Sequence, residues 1–226
     1  MMYSDVCEAI FLERLNRFVA RVEIGGRAEI CHVKNTGRCR ELFVPGAQVF
    51  LQRHDPGARK TRYDLITARK GSRLVNVDSQ APNRVLREWV EGGGFLPGAE
   101  RIKPEYAYLS SRFDFLIERA GRRSLVEVKG VTLEESGVAL FPDAPTERGV
   151  RHLNELVRSL SQGYDAFIVF VIQMAGVDRF APNARTHPAF AEALRAAKAA
   201  GVGIVAVDCD VIPGGIAARS TVEVSL

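Results

Sequence analysis

Three ionisable residues stand where a β-hairpin would ordinarily bury aliphatic ones: Asp114, Glu127 and Lys129, in "FDFLIERAGRRSLVEVKG" (residues 113–130). Residues two apart in a strand share a face, so Glu127 and Lys129 point one way, Val126 and Val128 the other. If Ala120-Gly121 forms the turn, Asp114 falls opposite Glu127, with the two Cβ atoms about 5 Å apart. Two carboxylates so placed repel unless a cation lies between them, and Mg²⁺ or Mn²⁺ prefers such oxygen ligands. A metal held there polarises a phosphodiester and lowers the pKa of a bound water. A lysine alongside orients that water or offsets charge developing on the phosphoryl oxygens. The same residues could instead form an ordinary cross-strand ion pair on a wet sheet face, since Glu-x-Lys is a common string.

The surrounding pattern specifies the elements that must carry these groups. "APNRVLREWVEGGG" predicts a helix over 82–91, with Pro82 in its first turn and the glycines ending it. Strands are expected at 112–118, 124–130 and 137–141. A second helix should begin near "DAPTERG", capped by Asp143 with Pro145 in the first turn, present Val150, Leu153, Val157 and Leu160 on one face, and stop at Gly163. "AFIVFVIQ" reads as a strand buried on both faces. A helix in "THPAFAEALRAAKAAG" then leads to a parallel strand in "VGIVAVDCDV". The order is αβββαβ followed by αβ. The third helix is alanine-rich with few basic residues, which suits core packing better than a recognition helix.

The first eighty residues read differently. "FVARVEIGGRAEICHV" turns at Gly25-Gly26, "AQVFLQRH" follows Pro45-Gly46, and "YDLITARKGSRLVNVD" turns near Lys70-Gly71. Short strands without a long helix point to an OB-like all-β barrel. The expected division is therefore a barrel at 1–80 and an α/β domain at 81–226.

Thirty-one Lys and Arg face 27 Asp and Glu, a formal net charge of +4. The excess gathers in patches, which suits a polyanion, most simply nucleic acid. Arg14, Arg17 and Arg21 could track a backbone. In "HVKNTGRCREL", Lys34, Asn35 and Arg38 flank an Asn35-Thr36-Gly37 turn that could meet a phosphate or be purely structural. Arg59, Lys60 and Arg62 surround Tyr63, a candidate stacking ring. Arg112 adjoins the hairpin aspartate. In "FPDAPTERGVRHL", Glu147, Arg148, Arg151 and His152 lie off the apolar stripe. Either the arginines grip phosphates while Glu147 extends a metal shell, or this is a solvated helix face. The cysteines, Cys7, Cys31, Cys39 and Cys209, form no CxxC pair and read as reduced thiols; Cys31, His32 and Cys39 lack the second close pair that zinc requires. No run approaches a membrane span and no secretory signal opens the chain, so a cytoplasmic protein with no membrane partner is expected.

An αβββαβ order with Asp and Glu-x-Lys on neighbouring strands resembles the PD-(D/E)XK nuclease superfamily, with Phe113 where that motif has proline. More specifically, "SRFDF", "VEVKGVTL", "FPDAPTERGVRHLNEL", "HVKNTGRCREL" and "VPGAQVFL" resemble the sugar fermentation stimulation protein family along almost the whole chain. The resemblance implies an OB-fold joined to a restriction-endonuclease-like domain, DNA binding, and a link to sugar catabolism, notably of maltose. By position it places a metal on Asp114 and Glu127, the lysine on Lys129, and a first-helix glutamate on Glu88. The expected function is that of a DNA-binding, Mg²⁺- or Mn²⁺-dependent nuclease. The alternatives are a non-catalytic DNA-binding regulator that retains the fold, and a protein binding a small phosphorylated ligand between its domains.

Overall fold

The structure, a computed structural model, describes all residues except Thr36, Pro56, Ala58, Arg59 and Lys60. Six strands come first: β1 (Val6–Asn16), β2 (Val19–Ile24), β3 (Arg27–Val33), β4 (Gln48–Arg53), β5 (Tyr63–Lys70) and β6 (Arg73–Asn76). They pair in the order β3-β2-β1-β4-β5-β6, and β3 also pairs in parallel with β5 from Cys31↔Tyr63 to Val33↔Leu65. That extra ladder closes β1 to β5 into the barrel of an OB fold and removes its free edges. The β2–β3 hairpin turns at Gly25 and Gly26, with φ of +55° and +78°; a two-residue turn of this kind needs positive φ at both positions.

The segment leaving the barrel is not a loose linker. Asn76, Val77 and Asp78 are wholly buried. Asn76 donates its N–H to the Gln173 carbonyl at 2.9 Å, and Gln173 Nε2 donates to the carbonyls of Asn76 and Asp78 at 3.0 Å each. The barrel interior and one face of the following domain form a single continuous core.

The second domain runs α1 (Ala81–Glu91), β7 (Arg101–Tyr108), β8 (Ser111–Arg119), β9 (Arg122–Val131), β10 (Leu133–Glu135), β11 (Val138–Phe141), α2 (Glu147–Leu160), β12 (Asp165–Ile172), β13 (Arg179–Pro182), α3 (Pro188–Ala200), β14 (Gly203–Ile212), β15 (Gly215–Thr221) and β16 (Glu223–Val224). Its main sheet has the order β15-β14-β12-β9-β8-β7, with β9, β12 and β14 parallel. Val85, Leu86 and Val90 of α1 cover one face, against Phe115, Ile117, Val126 and Val128. Leu153 and Leu156 of α2 and Leu194 of α3 cover the other, against Leu116, Leu125 and Ile168.

Two expectations about these elements change. The stretch at 137–141 does form a strand, but β11 belongs to a separate small sheet, β10-β11-β13-β16. The place predicted for it in αβββαβ is filled by β7, an edge strand carrying Pro104, Arg101 and Lys103, whose polar character hides it from an apolar-run search. Second, α2 is capped by Thr146 rather than Asp143: Thr146 Oγ1 accepts the Gly149 N–H at 3.1 Å, and Pro145 precedes the helix. The helix ends at Leu160, and Gly163 lies in the turn beyond it.

The domains are also clamped by charge. Lys70 Nζ lies 2.9 Å and Arg73 Nη1 3.1 Å from the Glu134 carboxylate on β10. Burial would push that carboxyl up, but Lys70, the Gly137 amide and Arg73 outweigh it and move it from 4.5 down to about 2. A depressed acid stabilises the fold above its unfolded pKa, and that contribution disappears as pH falls from 4.5 towards about 2. Glu134→Gln should therefore unfold more easily than the parent near neutrality and converge with it in strong acid. Urea titrations across that window would measure this; curves separated by the same amount at every pH would refute it.

Candidate functional site

The β8–β9 hairpin turns at Ala120 and Gly121, both at positive φ, and its register runs from Arg119↔Arg122 to Phe115↔Val126. One step further sets Asp114 opposite Glu127, the juxtaposition the sequence predicts. The ladder opens there. The Val128 N–H goes to Asp114 Oδ2 at 2.8 Å, and the β7 register skips Glu105, the residue facing Asp114 from the other side, at φ +50°. Asp114 Oδ1 accepts from Asn83 Nδ2 at 2.8 Å, so the first turn of α1 holds the second oxygen. Burial, then the charge of Glu127, raise the Asp114 pKa above the ordinary aspartate value.

Glu127 is more enclosed, 3% exposed. Its Oε1 accepts from Lys129 Nζ at 2.5 Å and from His152 Nδ1–H at 2.5 Å. His152 in turn accepts Arg148 Nε–H at Nε2, 3.3 Å away, so both its bonds are met by the Nδ1–H tautomer. Burial alone would push Glu127 up; His152 and Lys129 outweigh it and hold the carboxyl below the usual glutamate range. The two carboxylates are thus driven apart, one towards the neutral acid and one firmly ionised.

Sequence periodicity sets His152 off the apolar stripe, yet it is buried. The inward face of α2 carries Gly149, His152, Leu153, Glu155, Leu156 and Ser159, whereas Val150, Val157 and Leu160 lie at its margin. A periodicity search weighted on aliphatic residues mis-phases this helix, because the charge it faces demands polar partners.

The residues fit a hard divalent cation. Glu127 Oε2 is buried with no hydrogen-bond donor, an acceptor left over after Lys129 and His152 are counted. With Asp114 opposite, the donor set is two carboxylates, a complement that Mg²⁺ commonly fills out with water and substrate phosphates. Among the described residues no group of three or more His, Cys, Asp or Glu side chains is arranged to hold a metal. Glu88 does not join the pair, because its carboxylate accepts from the Met1 ammonium at 2.6 Å, and Asn83 takes the α1 position beside Asp114. Glu147 points outward and meets His187 Nε2 at 3.1 Å.

The expected phosphate contacts divide by what they already hold. Lys34 is bound to the buried Asp78 at 2.6 Å, Arg21 to Glu13 at 2.5 Å and Arg112 to Glu105 at 3.3 Å. Arg14 turns inward: Nη1 donates to the carbonyls of Gly37 and Arg38 at 2.8 Å each, and Nη2 to those of Arg17 and Asn35 at 2.7 Å each. It organises the loop rather than facing solvent. Asn35 Oδ1 accepts the Gly37 N–H at 2.7 Å. Arg62 lies over Tyr63, which is buried and offers no free ring face. Arg148 holds His152, while Arg17, Arg38 and Arg151 are exposed. Arg59, Lys60 and Thr36 lie outside the described residues. Cys31 and Cys39 are buried thiols pushed up to about 12 by that burial, and His32 faces Asp64 rather than a metal.

A cleft of about 400 Å³ lies between the domains, lined by Arg17, Asn35 and Gly37 on one side and Gly130, Thr132 and Asp143 on the other. Gly130 directly follows Lys129, and a Cβ there would stand 2.6 Å from Gln173 Oε1 and 2.7 Å from Pro82 Cγ. Two of the sequence motifs therefore meet across this cleft, for a Cβ on Gly37 would stand 2.6 Å from Asp143 Oδ2.

Comparison with known proteins agrees in both halves. The SfsA N-terminal OB domain matches residues 12–77, and the sugar fermentation stimulation protein RE domain matches residues 80–215. Sugar fermentation stimulation protein homologs from Desulfitobacterium hafniense and Ruminiclostridium cellulolyticum are 56% and 54% identical, with all of this chain and 99% and 100% of theirs aligned. A solved structure described as Pyrococcus furiosus SfsA in complex with Ca²⁺ is 34% identical, covers 100% of this chain and 98% of its own, and superposes with a TM-score of 0.91. By sequence, domain content and fold alike, the chain belongs to the sugar fermentation stimulation protein family.

Proposed function

We propose that this protein is a divalent-metal-dependent phosphodiesterase acting on nucleic acid. The observation that carries the reading is the Asp114–Glu127–Lys129 set at the opening of the β8–β9 ladder, with one carboxylate oxygen buried and unpartnered. Asp114 and Glu127 would hold Mg²⁺ or Mn²⁺, which when bound supplies Lewis-acid activation of the phosphodiester and of a water. The chain's own groups do the rest. Lys129 reaches the carboxylate edge and can pass to a phosphoryl oxygen or an attacking water. His152 and Arg148 hold Glu127 in one rotamer, and Asn83 with the Val128 amide does the same for Asp114. The Ca²⁺ with which the Pyrococcus furiosus relative is in complex is a hard, oxygen-seeking ion of the class this donor set suits.

Labelled single-stranded, duplex and branched DNA, and RNA, incubated with Mg²⁺ or Mn²⁺ beside a Glu127→Ala control, test the reading. Metal-dependent cutting that vanishes in the variant supports it. Binding without cutting by either protein would assign the fold to recognition, and with it a regulatory role.

Asp114→Asn separates function from stability. A raised carboxyl means that the folded state binds the proton more readily than the unfolded one, so ionised Asp114 weakens the fold as pH rises above 3.8. Without added metal, the variant should be more stable than the parent at neutral pH by about 1 kcal/mol, while losing Mn²⁺ binding in calorimetry. A variant that melts lower and binds Mn²⁺ normally would refute both halves.

A further inference from the structure

We propose that the β1–β2 turn, with Asn35, Gly37, Arg38 and Arg40 beside it, seats one strand of unpaired nucleic acid, with Arg17, Arg38 and Arg40 along its phosphates and Phe18 stacked on a base. The inference rests on the phosphodiesterase reading and adds the form of its substrate.

Three concavities share walls around this turn. The interdomain cleft shares Arg17 and Gly37 with a groove of about 360 Å³ that also takes in Asn16, Arg38, Arg40 and Phe43. It shares Asn35 and Ser79 with a smaller hollow of about 150 Å³ bordered by Phe18, Lys34 and Gln80. The three thus adjoin one another around Arg17, Asn35 and Gly37.

The charges around these concavities are available. Arg21, Lys34 and Arg112 are tied to carboxylates, whereas Arg17, Arg38 and Arg40 are exposed and form no ion pair among the described residues. No acidic side chain lines the basic groove among the described residues. The acid of the cleft, Asp143, reaches across to Gly37, so its carboxylate marks the junction of cleft and groove and the phosphates would lie on the groove side, along Arg38 and Arg40.

Phe18 supplies the second feature of a strand-binding surface. It is 50% exposed, and no other phenylalanine among the described residues is as open to solvent. Its backbone is fixed: the Phe18 N–H donates to Asn16 Oδ1 at 2.9 Å, and its carbonyl accepts the Val33 N–H at 2.8 Å. The ring is thus presented to solvent from a rigid turn, beside a basic groove. A groove that tracks phosphates beside a free aromatic face is how unpaired strands are held, since duplex bases have no open face to offer. The cleft volume is that of a drug-sized ligand, roughly one nucleotide unit.

The test is fluorescence anisotropy with labelled oligothymidylate, oligouridylate and a duplex of equal length, in EDTA so that binding is read without cutting. The wild type should bind single strand more tightly than the duplex, and whichever of thymidylate and uridylate binds the tighter tells a DNA strand from an RNA strand as source. Phe18→Ala should weaken single-strand binding about tenfold, and Arg38→Glu with Arg40→Glu should weaken it further and flatten its salt dependence. Phe18→Trp should retain binding and show emission quenched by the oligonucleotide, over a background from Trp89, which is packed against Phe95. Duplex bound as tightly as single strand, or an unaffected Phe18→Ala together with an unquenched Phe18→Trp, would overturn the proposal. Metal-dependent cutting of duplex by such a protein would leave the phosphodiesterase reading standing alone; quenching without any cutting would do the reverse.

Discussion

Glu127→Ala should both abolish metal-dependent cutting and lower stability by about 3 kcal/mol. The functional half follows from losing the carboxylate whose Oε2 is unpartnered. The stability half follows from what remains: His152, 1% exposed, loses its acceptor, and Lys129 loses the countercharge 2.5 Å away. Breaking a buried pair from one side leaves the other side uncompensated, which costs more than the pair contributes when whole. A second variant separates the two halves. Glu127→Gln combined with Lys129→Met removes both charges at similar volume, so it should recover much of the stability and none of the activity. Urea unfolding and Mn²⁺ calorimetry would measure both; a Glu127→Ala protein as stable as the parent would contradict the burial of this carboxylate in an ion-paired site.

Arg14→Ala should cost about 3 kcal/mol and loosen the loop around Asn35, Gly37 and Arg38. One guanidinium satisfies four carbonyls at 2.7–2.8 Å and lies 5.0 Å over the Phe43 ring. Charge-assisted bonds contribute roughly 1.5–3 kcal/mol each when removed singly, and they are not additive within one group, so about 3 kcal/mol is a conservative sum. Arg14→Lys should restore little, because an ammonium cannot present two forked edges to two pairs of oxygens. Amide hydrogen exchange is the sensitive measurement: faster exchange confined to the loop and the β1–β2 turn is expected. Uniformly faster exchange with no local excess would mean that the arginine supports the barrel as a whole instead.

The hairpin, its turn and the opposition of Asp114 and Glu127 are legible in the sequence because strand alternation is strict and the apolar residues on either side fix the register. The barrel and its hairpins are legible for the same reason. β7 is not, since an edge strand with a proline and three charges has no apolar signature. His152 is not, because a polar residue on the buried face of α2 violates the pattern by which burial is read; the one signal available is its place one helix after Glu-x-Lys. Arg14, Lys34 and Glu88 illustrate a further limit. Charge type is visible in sequence, but whether a charge faces solvent, a carbonyl cage, a buried aspartate or an ammonium is decided by tertiary contacts tens of residues away. Aromatic rings pose the same difficulty: basic neighbours single out Tyr63, which is buried, and pass over Phe18, which is free.

The passage from Asn76 to Asp78 is buried and latched by Gln173, so the join between the domains is a packed seam, not a free linker. A two-domain protein usually adjusts its grip by closing one lobe on the other; here the Gln173 latch and the Glu134 clamp oppose such a closure. Selectivity for what enters is therefore a matter of gauge. Width can change across relatives only by altering the side chains at the rim, and binding should proceed with the scattering profile of the protein essentially unaltered.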